Sequence, residues 1–311
     1  MRWPCLIRQG HPRIARPPVT NSSPNFDRNW SCGFFPPFAR HPTAATKQTP
    51  TIAQFLKQAN YTSVQFGKWH VGDKVENFPT SNGFDEMFDM LPYYAGVYAY
   101  DDLTLHPNFP VHDKQFMEIW NQVDLSQWDG KAGEAPKAVK KHFTYADLST
   151  GDDEMRAKAI DWLKAHAKDA NPFFMYLCFL KVHNPNNPSP RFKGKSPGGG
   201  TYLDALMELD DNTGQMMQAI RDLDLSENTL VVWTTDNGAW IDAWPDAGYT
   251  PFRGMKGLLI RGRLPRAGHR LVAWQGQSRH GQHRHVVAHG LVADLRQARR
   301  PSASAASVEG Q

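Results

Sequence analysis

The sequence predicts an α/β fold: a mixed, largely parallel sheet with helices on both faces. Three observations carry this. Short strand-like runs, "TSVQF" (62–66), "PFFMYLCFL" (172–180) and "LVVW" (230–233), have the composition of buried strands. Long amphipathic segments alternate with them. Each run also ends in a polar cluster, "GKWHVGD" (67–73), "KVHNPNNP" (181–188) or "TTDNG" (234–238). In open α/β sheets, ligands gather beyond the carboxyl ends of the strands.

The elements follow in order. In "TPTIAQFLKQAN" (49–60), Thr49 or Thr51 can cap a helix with Pro50 at its start, and Ile52, Phe55 and Leu56 share one face. "TSVQF" then delivers Gly67-Lys68-Trp69-His70 at the end of a strand. Residues 75–150 are aromatic, polar and irregular. Within them "LPYYAGVYAYDD" (91–102) has the character of an ordered insertion, and residues 90–145 are expected to line a pocket mouth. "DDEMRAKAIDWLKAHAKDA" (152–170) is a helix with Ala157, Ile160, Leu163 and Ala167 at helical spacing. "SPGGG" (196–200) breaks the chain before a second long helix, "TYLDALMELDDNTGQMMQAIRDLDL" (201–225).

Composition allows a packed core, since 40% of the 311 residues are hydrophobic. Cys5, Cys32 and Cys178 form neither a CxxC nor a disulfide pattern, so the redox compartment stays open. No apolar run reaches the length of a membrane span. The start, "MRWPCLIRQGHPRIARPP", lacks the apolar stretch of a signal peptide, and the compartment is left unassigned.

Charge is uneven. Residues 1–50 carry seven Lys and Arg against Asp27 alone, and residues 258–311 carry nine Arg against Asp294 and Glu309. The stretch between them holds 19 basic and 28 acidic residues. Three regions follow: an atypical N-terminal segment (1–49), an α/β domain (50–257) and an Arg-rich tail (258–311). Both ends are expected to be poorly ordered. Basic ends can bind nucleic acid, but no ordered aromatic or Arg surface supports that here.

Alone, Asp236-Asn237-Gly238 is an ordinary turn sequence and Lys68 and His70 can simply cap a sheet. Together the clusters suggest chemistry. Asp236 and Asn237 offer hard oxygen ligands suited to Ca²⁺ or Mg²⁺. Lys68, His70, His183 and Lys256 offer donors and positive charge for an oxyanion, as sulfate- or phosphate-ester hydrolysis requires.

The blocks "TPTIAQFLKQANYTSVQFGKWHVGD", "PFFMYLCFLKVHNP", "YLDALMELDDNTGQMMQAIRDLDLSENTLVVWTTDNG" and "PFRGMKG" resemble successive blocks of the arylsulfatases, of the alkaline-phosphatase-like superfamily. The resemblance covers residues 50–257. It implies a Ca²⁺-dependent hydrolase acting on a small-molecule or saccharide sulfate ester, with a cysteine-derived formylglycine as nucleophile. By position, Lys68 and His70 resemble the pair supporting the formylglycine, and His183 the histidine near sulfate and leaving group. Asp236 and Asn237 resemble half of the calcium shell, and Lys256 the sulfate-holding lysine.

The chain departs from the family at both ends. Residues 1–49 contain neither a paired Asp-Asp nor Cys-x-Pro-x-Arg, so the nucleophile and two metal carboxylates are not placed. Past residue 257 the expected Glu-Gly-Gly-x-Arg-x-Pro block is missing. Back-translating "RGRLPRAGHRLVAWQ" (261–275) and reading one nucleotide later restores such a block, and "AHGLVADLRQARR" (288–300) likewise becomes family-like. A frameshifted reading from about residue 258 explains the Lys-free tail and makes "SRHGQHRHVVAHG" (278–290) an accident of codons. The alternative readings are a catalytically inactive sulfatase remnant and a metal-dependent phosphatase or phosphodiesterase of the same superfamily.

Overall fold

The computed structural model describes residues 50–249, 255–256 and the backbone of 272–275. The expected N-terminal segment and nearly all of the Arg-rich tail lie outside the described residues.

Helix α1 (Ile52–Lys57) starts in a reciprocal capping box: Thr51 Oγ1 accepts from Gln54 N, and Gln54 Oε1 accepts from Thr51 N. Its buried positions are Ala53 and Leu56, while Ile52 and Phe55 are only half-buried. The expected apolar face is therefore rotated. Strand β1 (Thr62–Lys68) follows, then β2 (Glu86–Leu91). Helix α2 (Lys114–Trp120) precedes β3 (Gln127–Lys131) and β4 (Lys137–Lys140). Helix α3 (Gly151–His166), β5 (Phe173–Cys178) and helix α4 (Thr201–Asp222) complete the main layer. Strand β6 (Leu230–Trp233) pairs antiparallel with β7 (Val272–Gln275), within the tail.

The main sheet has five strands in the order β4-β3-β2-β1-β5. β1 lies between β2 and β5 and is parallel to both, whereas β3 and β4 add antiparallel. The sheet is thus mixed; its parallel half carries the strand ends that bear Lys68 and His183, while Asp236 follows β6 in the separate antiparallel pair.

Side chains alternate across the pleat. Val64 and Phe66 of β1 enter a core with Met155, Ala159, Trp162 and Leu163 of α3 and Met216 and Ile220 of α4. On the other face Ala53 of α1 packs with Trp69, Phe78, Phe84, Met87 and Met90. Helices therefore cover both faces. On α3 the buried stripe is Met155, Ala159, Trp162 and Leu163 rather than one through Ala157, which is exposed. Burying Met and Trp removes more apolar area than burying Ala, so the larger residues set the rotation.

Two strands are less covered than their apolar sequences suggest. Tyr176 of β5 remains 46% exposed, although Phe84 stacks on it and on Phe174. Leu230 and Trp233 of β6 are also exposed. The "LPYYAGVYAYDD" segment is mostly core: Tyr93, Val97 and Tyr98 are buried, and Tyr94 is the aromatic turned toward His70 and His183. No helix among the described residues is long and apolar enough to cross a membrane.

Candidate functional site

Gly67 explains how β1 ends. Its φ is +79°, and an added Cβ would run into the Cys178 carbonyl oxygen of β5 and the Met155 side chain of α3. Only glycine fits so close a crossing. Beyond it the chain still pairs with the end of β2 and the residue after it, Trp69 N donating to Leu91 O and His70 N to Pro92 O, before His70 turns at a φ of +51°. Trp69 turns into the core, where its indole donates to Asn77 O and its ring meets Phe84 edge-on. Lys68 and His70, on either side of Trp69, point away from that core.

Lys68 Nζ contacts Asp236 Oδ2 at 2.7 Å, joining the end of β1 to the turn after β6. Burial opposes ionisation of Asp236, but the Lys68 and Lys256 ammonium groups outweigh it and hold the carboxyl below its ordinary range. His183 lies on the loop after β5. Its Nδ1 is 2.6 Å from Asn184 O and its Nε2 is 3.1 Å from Lys256 Nζ. A carbonyl only accepts, so Nδ1 carries the proton and Nε2 presents a lone pair to the ammonium. Burial, then the charges of Lys256 and Lys68, push the imidazole pKa down to about 3, so His183 is neutral. Burial, then Lys68, lowers the pKa of Lys256.

Aromatic rings frame these groups. Tyr94 lies between His70 (5.3 Å) and His183 (5.2 Å), and Lys256 Nζ sits 4.8 Å from the Trp240 ring centre. Trp240 also meets His183 in a T-shaped contact. Contacts thus form two groups, Lys68 with Asp236, and His183 with Lys256 and, through Tyr94, His70; the charge of Lys68 acts on His183 and that of Lys256 on Asp236. Asn237 shares the turn with Asp236, and its carbonyl accepts from Thr235 Oγ1. Among the described residues no hydrogen bond of its side chain joins it to the cluster. Tyr94 and Trp240 were not singled out from the sequence. Their signal, an aromatic beside each polar cluster, resembles ordinary core composition.

Cys178 pairs in register with Gly67, next to Lys68. Burial pushes its thiol up to about 12, so it is protonated at neutral pH and is no thiolate nucleophile. It is followed by Phe179-Leu180-Lys181, which is not the formylglycine motif.

The described donors do not by themselves fit Ca²⁺, which takes six to eight oxygens including several carboxylates. Asp236 is the one carboxylate of the cluster and is engaged by Lys68. Among the described residues no group of three or more His, Cys, Asp or Glu could hold a metal.

The model of the sulfatase family matches residues 25–288. Human N-acetylgalactosamine-6-sulfatase is 31% identical over 246 residues, covering 78% of this chain and 42% of that protein. An N-acetylgalactosamine-6-O-sulfatase of Bacteroides thetaiotaomicron is 30% identical over 234 residues, covering 62% of this chain and 43% of that protein. The solved PsFucS1 sulfatase from Pseudoalteromonas sp. superposes with a TM-score of 0.60 at 28% identity, covering 68% of this chain and 42% of that one. The chain therefore spans less than half the length of these relatives. Its sheet has the alkaline-phosphatase-like sulfatase architecture. On the match over most of its length, the chain belongs to the sulfatase family.

Proposed function

We propose that this chain carries the sulfate-ester site of a sulfuric ester hydrolase. The carrying observation is the convergence of Lys68, His183 and Lys256 at the strand ends, with Asp236 balancing one of the cations. Lys68 and Lys256 supply charge to non-bridging sulfate oxygens, where negative charge builds in the transition state. His183 is neutral, and its Nε2 lone pair accepts a hydrogen bond from the Lys256 ammonium. Lys256 can thus pass a proton to the departing oxygen while His183 keeps its ammonium group aimed. Tyr94 and Trp240 provide ring faces beside the sulfate position, which suits a saccharide or aryl ester. The named activity of the relatives on N-acetylgalactosamine sulfate supports a sulfated saccharide.

Calcium and formylglycine are the family's cofactors. Asp236 and Asn237 are this chain's contributions to a calcium shell, and they need further carboxylates to complete it. A second reading, sulfate-ester binding without turnover, is favoured by the protonated Cys178 thiol and the single carboxylate of the described cluster.

The test is hydrolysis of a chromogenic aryl sulfate by the purified chain, co-expressed with formylglycine-generating enzyme and supplied with Ca²⁺, with calorimetry of inorganic sulfate in parallel. Turnover that is abolished in a Lys68→Ala, His183→Ala variant supports the hydrolase. Sulfate binding with no turnover selects the second reading. Neither binding nor turnover sinks both.

A further inference from the structure

We infer that Asp152 and Glu208, one buried carboxylate from each of α3 and α4, are positioning residues for His183. The inference rests on the reading of His183 as a site residue. Residues 181–189 leave β5 as a loop that carries His183, and Glu208 holds both ends of it. Its Oε1 accepts from Lys181 Nζ and its Oε2 from Ser189 N, each at 2.8 Å. Asp152 holds the entry, accepting from Leu180 N at 2.8 Å and Lys181 N at 3.0 Å. Among the described residues, every hydrogen bond of the two carboxylates goes to Leu180, Lys181 or Ser189. Lys181 Nζ also donates to Ser149 O, tying the loop to the start of α3.

Asp152 and Glu208 are both fully buried, and Lys181 is 8% exposed. Removing three charged groups from water is costly, and apolar residues of similar volume often replace such clusters without loss of stability. Stability alone therefore does not account for the arrangement. What the carboxylates add is direction, because apolar contacts do not fix peptide orientation. His183 N donates to Leu180 O, and its Nδ1–H donates to Asn184 O, so the ring is oriented by the backbone that these carboxylates hold. The tautomer that points a lone pair at Lys256 thus depends on groups on two helices that do not face the site.

The readout is the imidazole ¹⁵N spectrum of the full chain labelled at histidine, with His183 assigned by its loss in His183→Gln. Two variants are compared with the parent: Glu208→Gln, which keeps shape and removes charge, and the double variant Lys181→Met, Glu208→Leu, which replaces the ion pair with apolar side chains. The double variant is expected to melt near the parent's temperature. In both, His183 is expected to lose its single Nδ1–H tautomer and the chain to bind inorganic sulfate about tenfold more weakly. A parent-like His183 spectrum with unchanged sulfate affinity in either folded variant would overturn the inference, since the carboxylates would then be merely structural. The tautomer is read without turnover, so an inactive chain would count against the hydrolase reading and leave this result standing.

Discussion

His183 and Asp236 both follow strand ends, yet the molecule holds them in opposite ways. β5 is paired with β1 along its whole length and backed by α3 and α4, and the loop beyond it is fastened by two buried carboxylates. β6 is four residues long with Leu230 and Trp233 exposed, and Asp236 beyond it is 60% exposed with Lys68 as its ion-pair partner. The histidine side is preorganised by desolvated hydrogen bonds, while the acidic side is held by one pair that water screens. A neutral histidine needs a defined tautomer; a carboxylate opposite a lysine needs only proximity.

Several substitutions would sharpen or break that contrast. The largest effect is expected from Glu208→Ala, which strands the buried Lys181 ammonium and should cost about 3–5 kcal/mol in denaturant unfolding. An unchanged midpoint would mean the clamped side is no more rigid than the open one. Gly67→Ala should cost about 1–3 kcal/mol, because the new methyl must displace Met155 or the Cys178 carbonyl. Lys256→Met should weaken sulfate binding about tenfold with little change in melting temperature; calorimetry would detect it.

The pH dependence separates the two sides further. The folded pKa of His183 lies near 3, below its ordinary 6.5, so the unfolded chain takes up the proton first and acid destabilises the fold. Relative to His183→Gln, the parent should lose roughly 1 kcal/mol as the pH falls from about 6.5 to about 5.5. Parallel stability curves would refute the buried neutral histidine. The sign for Asp236 comes from the opposite protonation state. Its folded pKa is depressed below the ordinary 3.8, so its contribution is present above that value and lost on further acidification. The pair is open to water, so Asp236→Asn should change stability by less than about 1 kcal/mol at pH 7. A larger loss would show that the exposed side is as tightly held as the other.

Much of the scaffold is legible in the residues. β1, β5 and β6, the two long helices and the three polar clusters follow from apolar runs, amphipathic spacing and the residues that stop them. The antiparallel extension by β3 and β4 is not, because "QWDGK" and "KAVK" become strands by pairing with the sheet edge rather than by their own pattern. Nor are Asp152 and Glu208. In a helical segment an acid reads as part of the solvated face, and only the packing of α3 and α4 against the 181–189 loop turns these two inward.

By itself, the sequence determined which side chains would stand at strand ends, since strand length and side-chain alternation are local properties. It also carried the family resemblance, because ordered motifs survive in the chain whether or not they touch. The tertiary structure decided the partners and the protonation states. Lys68 meets Asp236 across 168 positions and His183 meets Lys256 across 73, and these contacts, together with burial, leave the histidine neutral and the carboxyl ionised. Coulomb and desolvation energies depend on separation in space and on exposure to water, and neither quantity is defined until the chain has folded.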